Sequence, residues 1–242
     1  DIKKIPGVGD ITQNAEGGWT IGVAVPGAEM REHEDLGKDW PGVVEAMDLI
    51  GSTQVQGRAT LVGNLCNGSP AADSVPAMVA AGVEVSVTGP NGDRTVAVED
   101  IPTAPGKTSL ETGEVITAVH VPARGPNAGD AYLRFIPRTE MDIAVVGCAV
   151  NLRLNADRVV TEARVSLGAV APTVLLVPEA ADALIGSTLD DTALDNLANA
   201  ASAACNPISD KRGTAEYRIH VAGVLAKRAA KIAYARAQGE TS

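Results

Sequence analysis

The chain has 242 residues, enough for one large domain or two small ones with a sizeable core, and a 45% hydrophobic share that marks an ordinary globular protein. A formal net charge of −10 works against phosphate-backbone contacts, so nucleic acid is excluded as an expected partner. Cys66, Cys148 and Cys205 lie far apart with no metal-ligand spacing, and no apolar run is long enough to span a bilayer, so a soluble, reduced, cytoplasmic protein is expected, with neither a metal site nor a transmembrane segment.

The rings are few: Trp19, Trp40, Tyr132, Phe135, Tyr217 and Tyr234. Val, Ala, Leu and Ile must therefore build the core. The start, Asp1-Ile2-Lys3-Lys4, carries no initiator Met and reads as the cut end of a fragment. In "WTIGVAVP" the alternation of Trp19, Ile21, Val23 and Val25 predicts a half-buried strand, stopped by Pro26-Gly27. "AEMREHEDL" and "PGVVEAMDLIG" space apolar residues three or four apart and read as two short helices. "DSVPAMVAAG" predicts a helix opened by Asp73 or Ser74, with Pro76 tolerated in its first turn. Val83, Val85 and Val87 face Val96 and Val98 across a Pro-Asn-Gly-Asp turn, a hairpin signal.

From "EVITAVHVP" the strands lengthen, and "AYLRFIP", "IAVVGCAVNLRLN" and "RVVTEARVSLGAV" predict an antiparallel meander. Helices follow at "PEAADALIG", "DDTALDNLANAASAA" and a long Ala-rich stretch from about Ser209 to Gln238. The fold class is α+β, and the Pro, Gly and Asn of "PARGPNAGD" set a boundary between domains 1–125 and 126–242.

Between the first helices and the hairpin lies "ATLVGNLCNGSPAAD". A loop of such residues presents backbone N–H groups without bulky side chains; it either turns the chain or cradles a phosphate. Asp73 at its end either caps the next helix or accepts hydrogen bonds from ribose hydroxyls.

Together with "EVITAVHVP", "AYLRFIPRTEMDIAVVGCAV" and "SDKRGTAEYRIHVAGVLAKRA", this region resembles the FAD-binding medium subunit of molybdenum hydroxylases, the xanthine dehydrogenase and carbon monoxide dehydrogenase family. The resemblance covers nearly the whole chain in the family's order. The family's second flavin loop, T-I-G-G-N followed by S-P-x-x-D, stands here as Thr60-Leu61-Val62-Gly63-Asn64 and Ser69-Pro70-Ala71-Ala72-Asp73, with Val62 in place of the first glycine. The resemblance implies that Thr60 to Asn64 contact the pyrophosphate and ribityl chain and that Asp73 binds on the adenosine side. A β-branched residue is disfavoured at φ > 0, so Val62 implies a backbone in the β region or a shifted loop.

By the same resemblance Ile116 lies against the flavin ring, Arg134 brings a positive charge near it, and Ile50 lines the adenine or flavin pocket. Each also has an ordinary reading as a core residue, a solvated strand charge and helix-end packing. Asp142, Arg212 and Tyr217 match family positions and read as structural, while His33, His120 and His220 share no catalytic pattern. No catalytic residue is assigned.

The implied function is a flavoprotein subunit of a molybdenum hydroxylase. Electrons from the molybdopterin centre of a large partner would pass through [2Fe–2S] clusters of a small partner to FAD on this chain, and then to an external acceptor. The assembly would be a hetero-oligomer such as a dimer of heterotrimers. The family's N-terminal A-G-G-T-type loop is not found in the sequence, which leaves open a flavin-free scaffold that docks the two partners. A stand-alone flavin reductase or oxidase of the vanillyl-alcohol oxidase type is a third reading, which no covalent flavin motif supports.

Overall fold

The computed structural model describes residues 2–139 and 141–240, so the fragment start expected at Asp1 lies outside the described residues. After a 3-10 turn at Ile2–Lys4 come strands β1 (Ile11–Gln13) and β2 (Trp19–Gly22). Six short helices follow: α1 (Gly27–Glu32), α2 (Glu34–Asp39), α3 (Pro41–Asp48), α4 (Thr53–Gln56), α5 (Leu61–Cys66) and α6 (Ser74–Ala81). The hairpin β3 (Glu84–Gly89) and β4 (Gly92–Ala97), the small strands β5 (Pro102–Ala104) and β6 (Lys107–Thr108), and β7 (Val115–Val121) complete the first half. The second half contains β8 (Ala128–Phe135), β9 (Val146–Leu154), β10 (Val160–Gly168), β11 (Leu175–Leu176), α7 (Pro178–Asp182), α8 (Asp191–Ala204) and α9 (Ala215–Ala237).

The first sheet runs β1-β2-β7-β3-β4 with every pairing antiparallel. Alternation sends Trp19, Ile21, Val119 and Val121 into a core that Met30, Leu36, Met47, Met78 and Val85 fill from the helices and β3. Thr20 and His120, paired across β2 and β7, face the other way. The hairpin turns at Pro90-Asn91, between the paired Gly89 and Gly92, and sets Val85 opposite Val96 but Val87 opposite Arg94. Val98 leaves the strand for a 3-10 turn, while its N–H still donates to the Val83 carbonyl at 3.1 Å. The single helix expected over "AEMREHEDL" is two, because His33 sits at φ −82°, ψ 96° and its ring Nδ1 accepts the Leu36 N–H at 3.3 Å, stopping α1 and capping α2.

The second sheet runs β11-β10-β9-β8, the expected antiparallel meander with a two-residue strand at its edge. Its core lies under α8 and α9 and is rich in alanine, including Ala222, Ala226, Ala229, Ala230 and Ala233. Small residues let helix and sheet approach closely. A Cβ added to Gly129 of β8 would lie 2.0 Å from the Ala233 carbonyl oxygen, so glycine is required there. The long helix begins at Ala215 rather than near Ser209, because Asp210 and Gly213 form an isolated bridge ahead of its cap Thr214.

Apart from Tyr132, Ala149 and Val174, the first core takes its buried residues from Val8 to Val121, and the second from Ala131 to Ala237. Polar contacts lock the halves together. Arg124 pairs with Asp130 at 2.7 Å, and Arg236 donates to the Asp130 carbonyl at 2.9 Å and to Glu45 of α3 at 3.1 Å. Gly42 lets α3 rest on β8, where an added Cβ would come within 2.5 Å of Asp130 Oδ2.

Candidate functional site

Thr60 has extended backbone, φ −126° and ψ 158°, and its hydroxyl accepts the Gly63 N–H at 2.9 Å. Its carbonyl accepts the Asn64 N–H at 3.0 Å. These bonds wind residues 61–66 into the helix α5 where the composition predicts a loop. Helical backbone explains how Val62 stands where the resemblance has glycine: neither φ > 0 nor a shifted extended loop is involved.

A helix start leaves its first amides without intrahelical acceptors. Here the N–H groups of Thr60, Leu61 and Val62 have no acceptor among the described residues, while those of Gly63 and Asn64 are used internally. The buried side chains of Leu61 and Val62 fix the helix to the first core, and Gly63 is exposed. The donor set expected over Thr60 to Asn64 is thus narrower, three amides beside an open glycine.

Asn64 acts through its side chain. Its Oδ1 accepts the Ser74 N–H at 3.2 Å and the Ser74 hydroxyl at 2.7 Å, which caps α6 and clasps it to α5. Gly68 turns the chain back at φ +63°, where an added Cβ would meet the Lys107 nitrogen at 2.9 Å.

Asp73 stands at the cap position of α6, yet its side chain makes no capping bond. Its Oδ1 accepts the Tyr132 hydroxyl at 3.0 Å and its Oδ2 accepts Arg134 at 2.6 Å. The Asp73 and Arg134 side chains are only 10% and 5% exposed. Burial pushes the Asp73 carboxyl above its ordinary 3.8, against the pull of Arg134 and Tyr132. Burial, reinforced by the Asp73 charge, raises the Tyr132 hydroxyl far more. The carboxylate expected to meet ribose hydroxyls already takes one bond on each oxygen from the second sheet.

Arg134 is therefore a paired cation rather than a solvated strand charge. It also lines a polar cavity of about 270 Å³ with Leu49, Gly51, Ser52 and Gln56. Ile50, between two lining residues, is half-buried and packs on the first core. Ile116, expected against the flavin ring, is 2% exposed and lies in the first core opposite Val87, because the pleat of β7 turns Val115 outward and Ile116 inward. Asp142 holds Arg212 at 3.5 Å, and Tyr217 meets Phe135 edge-on at 5.8 Å. Sequence reasoning missed Tyr132, although its spacing of two from Arg134 on a predicted strand places both on one face.

Residues 1–124 match the family described as FAD binding domain in molybdopterin dehydrogenase, and residues 131–233 match the CO dehydrogenase flavoprotein C-terminal domain. The carbon monoxide dehydrogenase medium chain of Afipia carboxidovorans is 36% identical over 236 residues, 96% of this chain and 80% of that protein. The xanthine dehydrogenase FAD-binding subunit of Escherichia coli O157:H7 is 29% identical over 99% of this chain and 82% of its own. Among solved structures, carbon monoxide dehydrogenase from Hydrogenophaga pseudoflava superposes with a TM-score of 0.92 at 33% identity, covering 98% of this chain and 81% of that one. The chain belongs to the family of FAD-binding subunits of molybdenum hydroxylase-type oxidoreductases, and its cofactor is FAD. Among the described residues no helix is long and apolar enough to cross a membrane.

Proposed function

We propose that this chain is the cytoplasmic flavoprotein subunit that carries electrons from [2Fe–2S] clusters of a small partner to an external acceptor, beside a large molybdopterin subunit. Residues 1–125 would form the flavin-binding domain and 126–242 the second domain, within a hetero-oligomer such as a dimer of heterotrimers. The observation that carries the reading is the set of three unpartnered amides at Thr60, Leu61 and Val62, next to an exposed Gly63. Amides at a helix start suit a diphosphate, since they offer donors and a positive dipole end without a bulky side chain.

FAD supplies the capacity to take up and release electrons; the chain supplies position and charge. Leu61 and Val62 would grip the diphosphate through their amides, with the Thr60 hydroxyl holding the turn open in that geometry. Asn64 and Asp73 would act by holding the segment, the first by capping α6 and the second by tying α6 to β8. Arg134 would present a cation largely balanced by Asp73, so its effect on flavin charge is modest. Ile50 would border the ring end through the cavity that Leu49, Gly51 and Arg134 line, and Ile116 would support it from behind.

Leu61→Pro in the full-length chain tests the amide directly. Proline at the first helical position keeps the backbone and removes the N–H along with the leucine side chain, and Thr60 is already extended as a residue before proline requires. Leu61→Ala controls for lost packing. FAD affinity of the proline variant should fall about tenfold or more below that of the alanine variant, the loss of roughly one charge-assisted hydrogen bond. Equal affinities would remove these amides from the site, and a colourless full-length protein under FAD saturation would favour the scaffold reading.

A further inference from the structure

We propose that the groove between α8 and α9 docks an acidic segment of a partner protein. This inference is independent of the flavin reading. The groove has a volume of about 400 Å³; Ala198, Gly223 and Val224 line it together with His220, Lys227, Arg228 and Lys231. Residues 220, 224, 227, 228 and 231 recur at helical spacing, so they form one stripe along α9. A Cβ on Gly223 would come within 2.8 Å of Ser202 Oγ, so the helices touch there and the groove opens beside the contact.

This positive stripe stands on a chain whose formal charge is −10. Most arginines of the molecule reach a carboxylate, among them Arg31, Arg94, Arg134, Arg164 and Arg218. In the groove Lys227 is held by Asp195, but His220, Arg228 and Lys231 have no acidic partner among the described residues. The helix dipole does not account for Lys227 and Arg228, because its effect fades within the last turn and α9 continues to Ala237.

The shape favours a polypeptide. Residues 220 to 231 span about 16 Å at the helical rise, longer than a single phosphate and matched to a short extended or helical acidic segment. A membrane surface fits poorly, since none of the exposed large hydrophobic residues lies in the groove and interfacial binding needs an apolar edge.

The test uses the full-length protein and a fluorescent twelve-residue Glu/Asp-rich peptide. The wild type should bind it with an affinity that weakens as salt rises from about 50 to 250 mM. Arg228→Glu with Lys231→Glu should weaken binding about tenfold or more, whereas Lys4→Glu with Lys211→Glu, equal in charge change, should cost less than about twofold. If the first double variant unfolds, Arg228→Gln with Lys231→Gln must keep the same order with unchanged helical circular dichroism. Equal losses in the groove and control variants would overturn the proposal. So would a groove variant that loses phosphatidylglycerol vesicles while keeping the peptide.

Discussion

Helices α5 and α9 both begin at a threonine whose hydroxyl accepts the third helical N–H, from Gly63 at 2.9 Å in one and from Tyr217 at 3.2 Å in the other. Their first turns are otherwise opposite. In α9 the Ala215 N–H goes to Ser209 Oγ at 2.8 Å, and the Glu216 carboxyl, held below its ordinary value chiefly by its own backbone N–H, covers the second amide. In α5 the corresponding amides of Leu61 and Val62 find no acceptor among the described residues. A structural helix closes its own start; a helix that binds an anion leaves it open. The same local device thus leaves one helix start closed and the other open, and the neighbouring side chains decide which.

Breaking the anchor behind α5 should have the largest effect. Asp73→Ala leaves Arg134 buried at 5% exposure without its carboxylate, and should cost about 3–5 kcal/mol in denaturant unfolding. A cost below about 1 kcal/mol would mean that the pair does not hold the two halves together. On the α9 side, Gly129→Ala drives a Cβ to 2.0 Å from the Ala233 carbonyl oxygen and should lower stability by about 1–3 kcal/mol, with flavin retained per folded chain.

The two threonine caps sharpen the contrast further. Thr60→Ala and Thr214→Ala should each cost about 1 kcal/mol, but only the first should reduce flavin absorbance per folded chain after dialysis. Equal flavin loss in both would erase the distinction drawn between the two helix starts.

The smallest effect is a pH dependence. Burial raises the folded-state pKa of Asp73 above 3.8, so the folded protein holds this proton more readily than the unfolded chain. Stability therefore declines as pH rises from 3.8 through the raised value. Urea midpoints of the wild type should fall relative to Asp73→Asn over that interval, and parallel curves would show that the carboxyl is not perturbed.

Much of this was legible in the residues. The alternation of Trp19 with Ile21 and of Val119 with Val121, the αL Gly82 that ends α6 and the Ala-rich run of α9 each carry their element locally. The family pattern over Thr60 to Asp73 was legible, but not the helix over Leu61–Cys66 within it: glycines and asparagines suggest a loop, and only the Thr60 cap with the packing of Leu61 and Val62 makes a helix there. The side on which Ile116 lies was not legible for a similar reason, since a strand's pattern gives two faces without saying which one is covered.

Local chemistry by itself determined the strands, most helices and the order of the two sheets' material, because hydrophobic period, caps and turn residues act over a few positions. What only the tertiary structure decided were the partners. Asp73 meets Tyr132 and Arg134 across about sixty residues of chain, at 3.0 and 2.6 Å, and Asn64 caps a helix ten residues away. Those contacts depend on how β8 lies against α6, a packing choice made by the two cores together and written in no single stretch.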